Sequence, residues 1–185
     1  NDAWFGDTSE PWEHLALAKL RAVEHHRSLV RSTNSGVSAV VELARVLRAY
    51  SSRYSIRFIA FVGEETGHYG SRYHVSQVVS RGEQIKANLN IDGIGWKQYE
   101  TNRNCLWQNG TPESLRIANL FNTVRTAYGI DIGWELVVPT WQSSDNASYW
   151  DAGFPGVLSI GGLPYEAPGY HGCGDTMATI DMPNV

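Results

Sequence analysis

Apolar residues recur along this chain with two alternating periods, one helical and one extended, and turn formers separate the blocks. Ser9-Glu10-Pro11-Trp12-Glu13 supplies a capping residue, a proline and acids suited to a first helical turn, and Trp12, Leu15, Leu20 and Val23 continue at helical spacing. The pattern fades around Arg27 to Arg31, and the turn formers Ser32 to Gly36 break it. Val37, Val40, Val41, Ala44 and Leu47 then mark one face of a second helix that ends near Tyr50. The run Ile56 to Val62 is rich in β-branched and aromatic residues and predicts a strand buried on both faces.

A helix is predicted over Ser71 to Arg81 and a strand over Ile85 to Ile91. Asn102 to Asn109 is ambiguous, with a short strand around Leu106 and Trp107 as its best reading. Thr111-Pro112-Glu113 opens a helix through about Tyr128, with Leu115, Ala118, Leu120, Phe121 and Val124 as its apolar set. Trp134 to Val138 and Gly156 to Ile160 predict strands, separated by the polar Ser143 to Asn146 and a short helix toward Trp150. Strands alternating with helices predict an α/β sandwich around a mainly parallel or mixed sheet.

Composition narrows the function. The 185 residues suit a single domain over 1–185, and no internal repeat or heptad run divides them. Fifteen lysines and arginines against 19 acids give a formal charge of -4 with no basic stripe, so nucleic acid and anionic membrane are not expected partners. No apolar stretch approaches the roughly 20 residues that cross a bilayer. The two cysteines, Cys105 and Cys173, match no CxxC metal pattern; they pair if the protein is exported and stay free if it is cytoplasmic.

The chemistry concentrates at predicted strand ends. Glu64 and Glu65 follow the run to Val62, between Gly63 and Gly67; on extended backbone they would point opposite ways, one toward a cation and the other toward a bound water. The bland alternative is a solvated acidic turn. Asp92 closes the strand that ends at Ile91. Tyr170-His171-Gly172-Cys173-Gly174-Asp175-Thr176 forms a glycine-rich loop after the last strand. Carboxylates with an imidazole are donors that zinc accepts, and hydrolytic zinc sites keep a position for water.

These residues sit in segments that resemble the zinc-dependent aminopeptidases related to bacterial leucyl aminopeptidases, glutamate carboxypeptidase and glutaminyl cyclases. The segments are Ser35 to Arg45, Phe61 to Ser71, Asn90 to Gly95, Ser144 to Pro155, and Tyr170-His171 with Asp175-Thr176, so that residues 35–181 carry the resemblance and 1–31 form a divergent helical segment. The resemblance implies a three-layer α/β sandwich with helices on both faces of the sheet and zinc at its carboxyl edge. It implies Glu64 as general base, Glu65 and His171 as ligands of one zinc, Asp92 as ligand of another, and Asp145 and Tyr170 as supporting or pocket residues. Peptides would be the substrates, losing their amino-terminal residues.

Two ligands of the family pattern are missing from their expected places. Counting back from Gly36 puts Ser32 where the zinc-bridging aspartate belongs, and His14 has nearly the spacing of a further histidine ligand but lies in an amphipathic helical pattern, as His25 and His26 do. One zinc or two are therefore open, because paired divalent ions need bridging negative charge. The resemblance also leaves open a noncatalytic binding or assembly module, in which an oligomer or larger assembly would form. The chain stops four residues after Asp181, where relatives continue, so either a pared-down domain or part of a larger protein is expected. An extracellular or secreted location is expected, where a Cys105–Cys173 disulfide would steady the histidine loop. Trp96, Trp141 and Trp150 line a pocket or, more simply, fill the core.

Overall fold

The structure is a computed structural model and describes residues 33–95, 103–130, 133–137, 144–161, 169, 170 and 172. The helix expected over residues 9–27, with His14, lies outside these, as do Ser32, Trp96, Trp141, His171 and Cys173. Helix α1 spans Thr33–Leu47 and α2 spans Tyr69–Ser80. They are followed by β1 (Asn88–Asp92), β2 (Arg103–Gln108), α3 (Pro112–Ala127), β3 (Gly133–Val137), α4 (Asn146–Asp151) and β4 (Gly156–Gly161).

Four strands form one mixed sheet in the order β1-β4-β2-β3. β1 runs parallel to β4, β4 antiparallel to β2, and β2 parallel to β3. The register decides what each face carries, since alternate residues of a strand point to opposite sides. Trp107 lies opposite Leu158 and Cys105 opposite Ile160. Trp107, Leu158 and Ile160 then pack with Trp150 of α4 on one face. The other face joins Leu106 and Val157 to Ala118 of α3, with Ile117 and Phe121 against them. Helices on both faces explain why β4 is buried along its whole length. Complete burial of Leu158 and of Val157 contributes roughly 1.5–3 kcal/mol each.

Local chemistry sets the helix ends. Thr111 caps α3, its hydroxyl accepting from Ser114 N–H at 3.3 Å, and Pro112 follows where no intrahelical donor is needed. Ser114 is itself buried, and its hydroxyl accepts from Gly156 N–H at 3.0 Å, which ties the helix start to β4. In α2 the buried residues are Ser71, His74, Val75 and Val78, one helical stripe that faces α4. Trp150 belongs to the core; its indole N–H donates to the Gly156 carbonyl at 3.1 Å.

Two expectations are corrected. Ile56 to Val62 forms no strand among the described residues, and it is not buried on both faces, since Ile56 is 47% exposed and Val62 66%. An apolar run becomes a strand only beside a partner that takes up its backbone groups. Here the Val62 carbonyl instead accepts from Gly70 N–H at 3.0 Å, at the start of α2, and Arg57 pairs with Glu83. Residues 33–36 do not break the chain either, because α1 begins at Thr33. Gly36 serves close approach: a Cβ there would collide with the Ile91 carbonyl, so the glycine lets α1 lie directly against β1.

Candidate catalytic site

Both parallel strands β1 and β4 direct their carboxyl ends to the same rim, and Asp92 is the last residue of β1, paired with Ile160. Asp92 and Asn90 share the sheet face that carries Leu158 and Ile160, the α4 side. Ser144, just before α4, donates its hydroxyl to Asp92 Oδ2 at 2.9 Å. The Asn90 amide donates to the Ser144 hydroxyl at 2.8 Å and to Asn146 Oδ1 at 3.3 Å. A polar chain thus runs from β1 to the loop that carries Asp145.

Glu64 and Glu65 reach the rim from a turn, which corrects their expected place on extended backbone. Gly63, at φ 70°, supplies a left-handed step that side-chain-bearing residues disfavour, and the Glu64 carbonyl then accepts from Gly67 N–H at 3.0 Å and from His68 N–H at 2.9 Å. The two acids still differ, Glu64 being partly buried and Glu65 exposed, but turn geometry rather than strand alternation separates them.

Electrostatics gathers these groups into one field. Burial pushes Glu64 up to about 8, and the negative charges of Asp92, Glu65 and Asp145 push the same way. Asp145 is also raised, chiefly by burial and further by Asp92, while the Ser71 hydroxyl and His68 act against the rise. Its Oδ1 is buried without a hydrogen-bond partner. Tyr170 rises to about 12 through burial and the repulsion of Glu65, Asp92 and Glu64, so its phenol stays neutral. Five of the predicted site residues, Glu64, Glu65, Asp92, Asp145 and Tyr170, therefore act on one another. His171, Ser32 and His14 lie outside the described residues.

His68, Ser144 and Asn90 belong to the site although the sequence pattern did not mark them as site residues. His68 Nε2 lies 3.4 Å from Glu64 Oε1. The visible signal was a histidine four residues after an acid, a spacing that brings side chains together only once a turn is known to be there. Ser144 and Asn90 carry no such signal, because polar residues beside strands are common.

Among the described residues, no group of three or more histidine, cysteine, aspartate or glutamate side chains is arranged to hold a metal ion. The chemistry of the donors nevertheless fits a divalent cation. Mutually repelling carboxylates and a buried carboxylate oxygen without a partner are relieved by positive charge, and carboxylate oxygen is a suitable zinc donor.

Comparison with known proteins places the fold. The structure superimposes on the LapA aminopeptidase of Legionella pneumophila with a TM-score of 0.69 and 22% identity, covering 83% of this chain and 42% of that one. A zinc aminopeptidase from Bacillus subtilis gives a TM-score of 0.69 and 27% identity, covering 83% and 38%. The glutaminyl cyclase of Bacteroides thetaiotaomicron gives 0.52 and 18%, covering 83% and 57%. The chain thus spans less than half the length of either aminopeptidase. A separate likeness, 52% over 42 residues, links it to the apolipoprotein N-acyltransferase of Haemophilus influenzae, but it covers 23% of this chain and 8% of that enzyme. So short a match carries no acyltransferase activity across. Residues 33–185 match the family model described as peptidase family M28, a span that holds Glu64, Glu65, Asp92, Asp145, Tyr170 and His171 and begins after His14 and Ser32. The chain belongs to peptidase family M28.

Proposed function

We propose that this chain is a zinc-dependent hydrolase of the aminopeptidase type, releasing amino-terminal residues from peptides. The observation that carries the reading is the mutual repulsion of Glu64, Asp92, Glu65 and Asp145 at the rim of a peptidase-family fold, with Glu64 pushed up to about 8. Such a cluster has a chemical use when a cation and a transferable proton are present, and little use otherwise.

Glu65, Asp92 and His171 would hold zinc. Bound there, the ion would acidify a water to a pKa near 7 and polarise the scissile carbonyl. The remaining roles belong to the chain. Glu64, partly desolvated and surrounded by negative charge, has the proton affinity of a base that works near neutrality; it would take the proton of the attacking water and return it to the leaving amine. Asp145 would steady the arrangement through its charge. Tyr170, held neutral, would present an O–H donor at the edge of the pocket. Ser32 stands where the resemblance expects the bridging acid, so a second ion would lack that negative charge, and metal analysis counts the ions.

Elemental analysis of the purified chain and hydrolysis of aminoacyl-anilides test this together. Zinc retained with turnover, and a loss of about 10²–10⁴-fold in Glu64→Gln with zinc still bound, is the expected result. Zinc binding without turnover in the parent chain would favour the binding-module reading. Neither zinc nor turnover would end the hydrolase proposal.

A further inference from the structure

His68 stands out by its backbone. It has φ 58° and ψ 35° and is the one residue other than glycine with positive φ among the described residues. Left-handed backbone costs a residue with a Cβ roughly 1–2 kcal/mol, and the other described residues with positive φ are glycines, among them Gly63 and Gly67 within the same turn. An imidazole retained where glycine would be unstrained points to a use for the side chain.

The surroundings hold that side chain in place. His68 N–H donates to the Glu64 carbonyl at 2.9 Å, and the His68 carbonyl accepts from Arg72 N–H at 2.9 Å and from the Ser71 hydroxyl at 3.1 Å. Ser71 is completely buried and shares a 2.8 Å hydrogen bond with Ser148 of α4. The root of the imidazole is thereby fixed both to the Glu64 turn and to the helix that follows Asp145. The ring itself is largely buried, with Nε2 at 3.4 Å from Glu64 Oε1, a separation that closes to a hydrogen bond with a small movement.

From this geometry we infer that His68 is a positioning residue for Glu64: Nε2–H engages Oε1 and fixes the carboxyl plane, leaving Oε2 for the attacking water. The inference rests on Glu64 being the base. No proton leaves His68 in this role, so the step needs no further reactant.

Glycine at this position removes the ring without demanding a new backbone. Zinc-loaded His68→Gly is expected to keep its KM, lose about tenfold or more in kcat, equivalent to ~1.4 kcal/mol, and regain part of the rate with added imidazole. A second measurement needs no activity. In the metal-free chain, thermal unfolding of His68→Gly, Glu64→Gln and the double variant should show non-additive shifts of about 2–4 °C, the response of a domain this size to ~1 kcal/mol of coupling. Unchanged kcat in His68→Gly, together with additive unfolding shifts, would overturn the inference. If Glu64→Gln retains full turnover, the base assignment fails instead. The unfolding cycle then decides by itself whether His68 holds Glu64: coupled shifts sustain the contact, and additive ones refute it.

Discussion

Ser144 Oγ donates to Asp92 Oδ2 at 2.9 Å, joining residues 52 positions apart in the chain. The same hydroxyl accepts from the Asn90 amide at 2.8 Å, so one small side chain connects the end of β1 to the segment that carries Asp145. Ser144→Ala should cost about 1–2 kcal/mol of stability, because the buried hydroxyl serves both neighbours and each loses a partner. Urea unfolding measures this; a change below a few tenths would show that other partners replace the bond.

Gly36 and the Ile91 carbonyl predict a substitution that goes against helix propensity. Alanine is worth about 1 kcal/mol over glycine inside a helix. At Gly36, however, the added methyl meets backbone atoms of Ile91 and Asp92, which cannot rotate away as a side chain would. Overpacking of about 1–3 kcal/mol should outweigh the propensity gain, and Gly36→Ala should unfold at lower urea concentration than the parent.

Glu64 sets a pH dependence in the metal-free chain. Its folded pKa of about 8 lies above the ordinary 4.5, so its contribution is fully present below 4.5 and is lost as pH rises toward 8. Glu64→Gln removes that loss. The metal-free variant should therefore be more stable than the parent at pH 8 and nearly equal to it at pH 4.5, as followed by denaturant midpoints. A parent advantage at pH 8 would mean that the carboxylate is already compensated.

His74 works in the opposite direction. Burial lowers its pKa below the ordinary 6.5, and Arg57 and Arg81 add to the effect against the opposing Glu83. Its Nδ1 lies 3.0 Å from the Tyr149 hydroxyl, and its ring stacks obliquely against Phe61. A depressed folded pKa leaves stability intact above 6.5 and removes it as pH falls through the folded value. The parent chain should lose stability between pH 7 and 5, and His74→Phe should flatten that slope. An identical slope in both would assign the acid limb elsewhere.

Most of the architecture was legible in local patterns, and the instances show why. Thr111-Pro112-Glu113 carries cap, proline and acid in the order a helix start requires, and α3 begins there. Asp92 does end a strand, and Gly156 to Gly161 is the fully buried one. The run from Ile56 to Val62 has the composition of a strand without the behaviour of one, because pairing is supplied by neighbours and not by the run itself. Gly36 looked like punctuation and proved to be a contact surface, since a missing Cβ signals a turn or a close approach equally well.

The order of residues alone established the acids, the place of Asp92 at a strand end and the family they resemble, because periodicity, capping and short motifs are local properties. Folding added what depends on distance across the chain. It put Ser144 on Asp92, turned Glu64 inward beside His68, and brought four carboxylates within one another's field, where burial and repulsion together raise a glutamate to about 8. Such shifts arise from solvent exclusion and from charges tens of residues away, and neither exists until the strands and helices have packed.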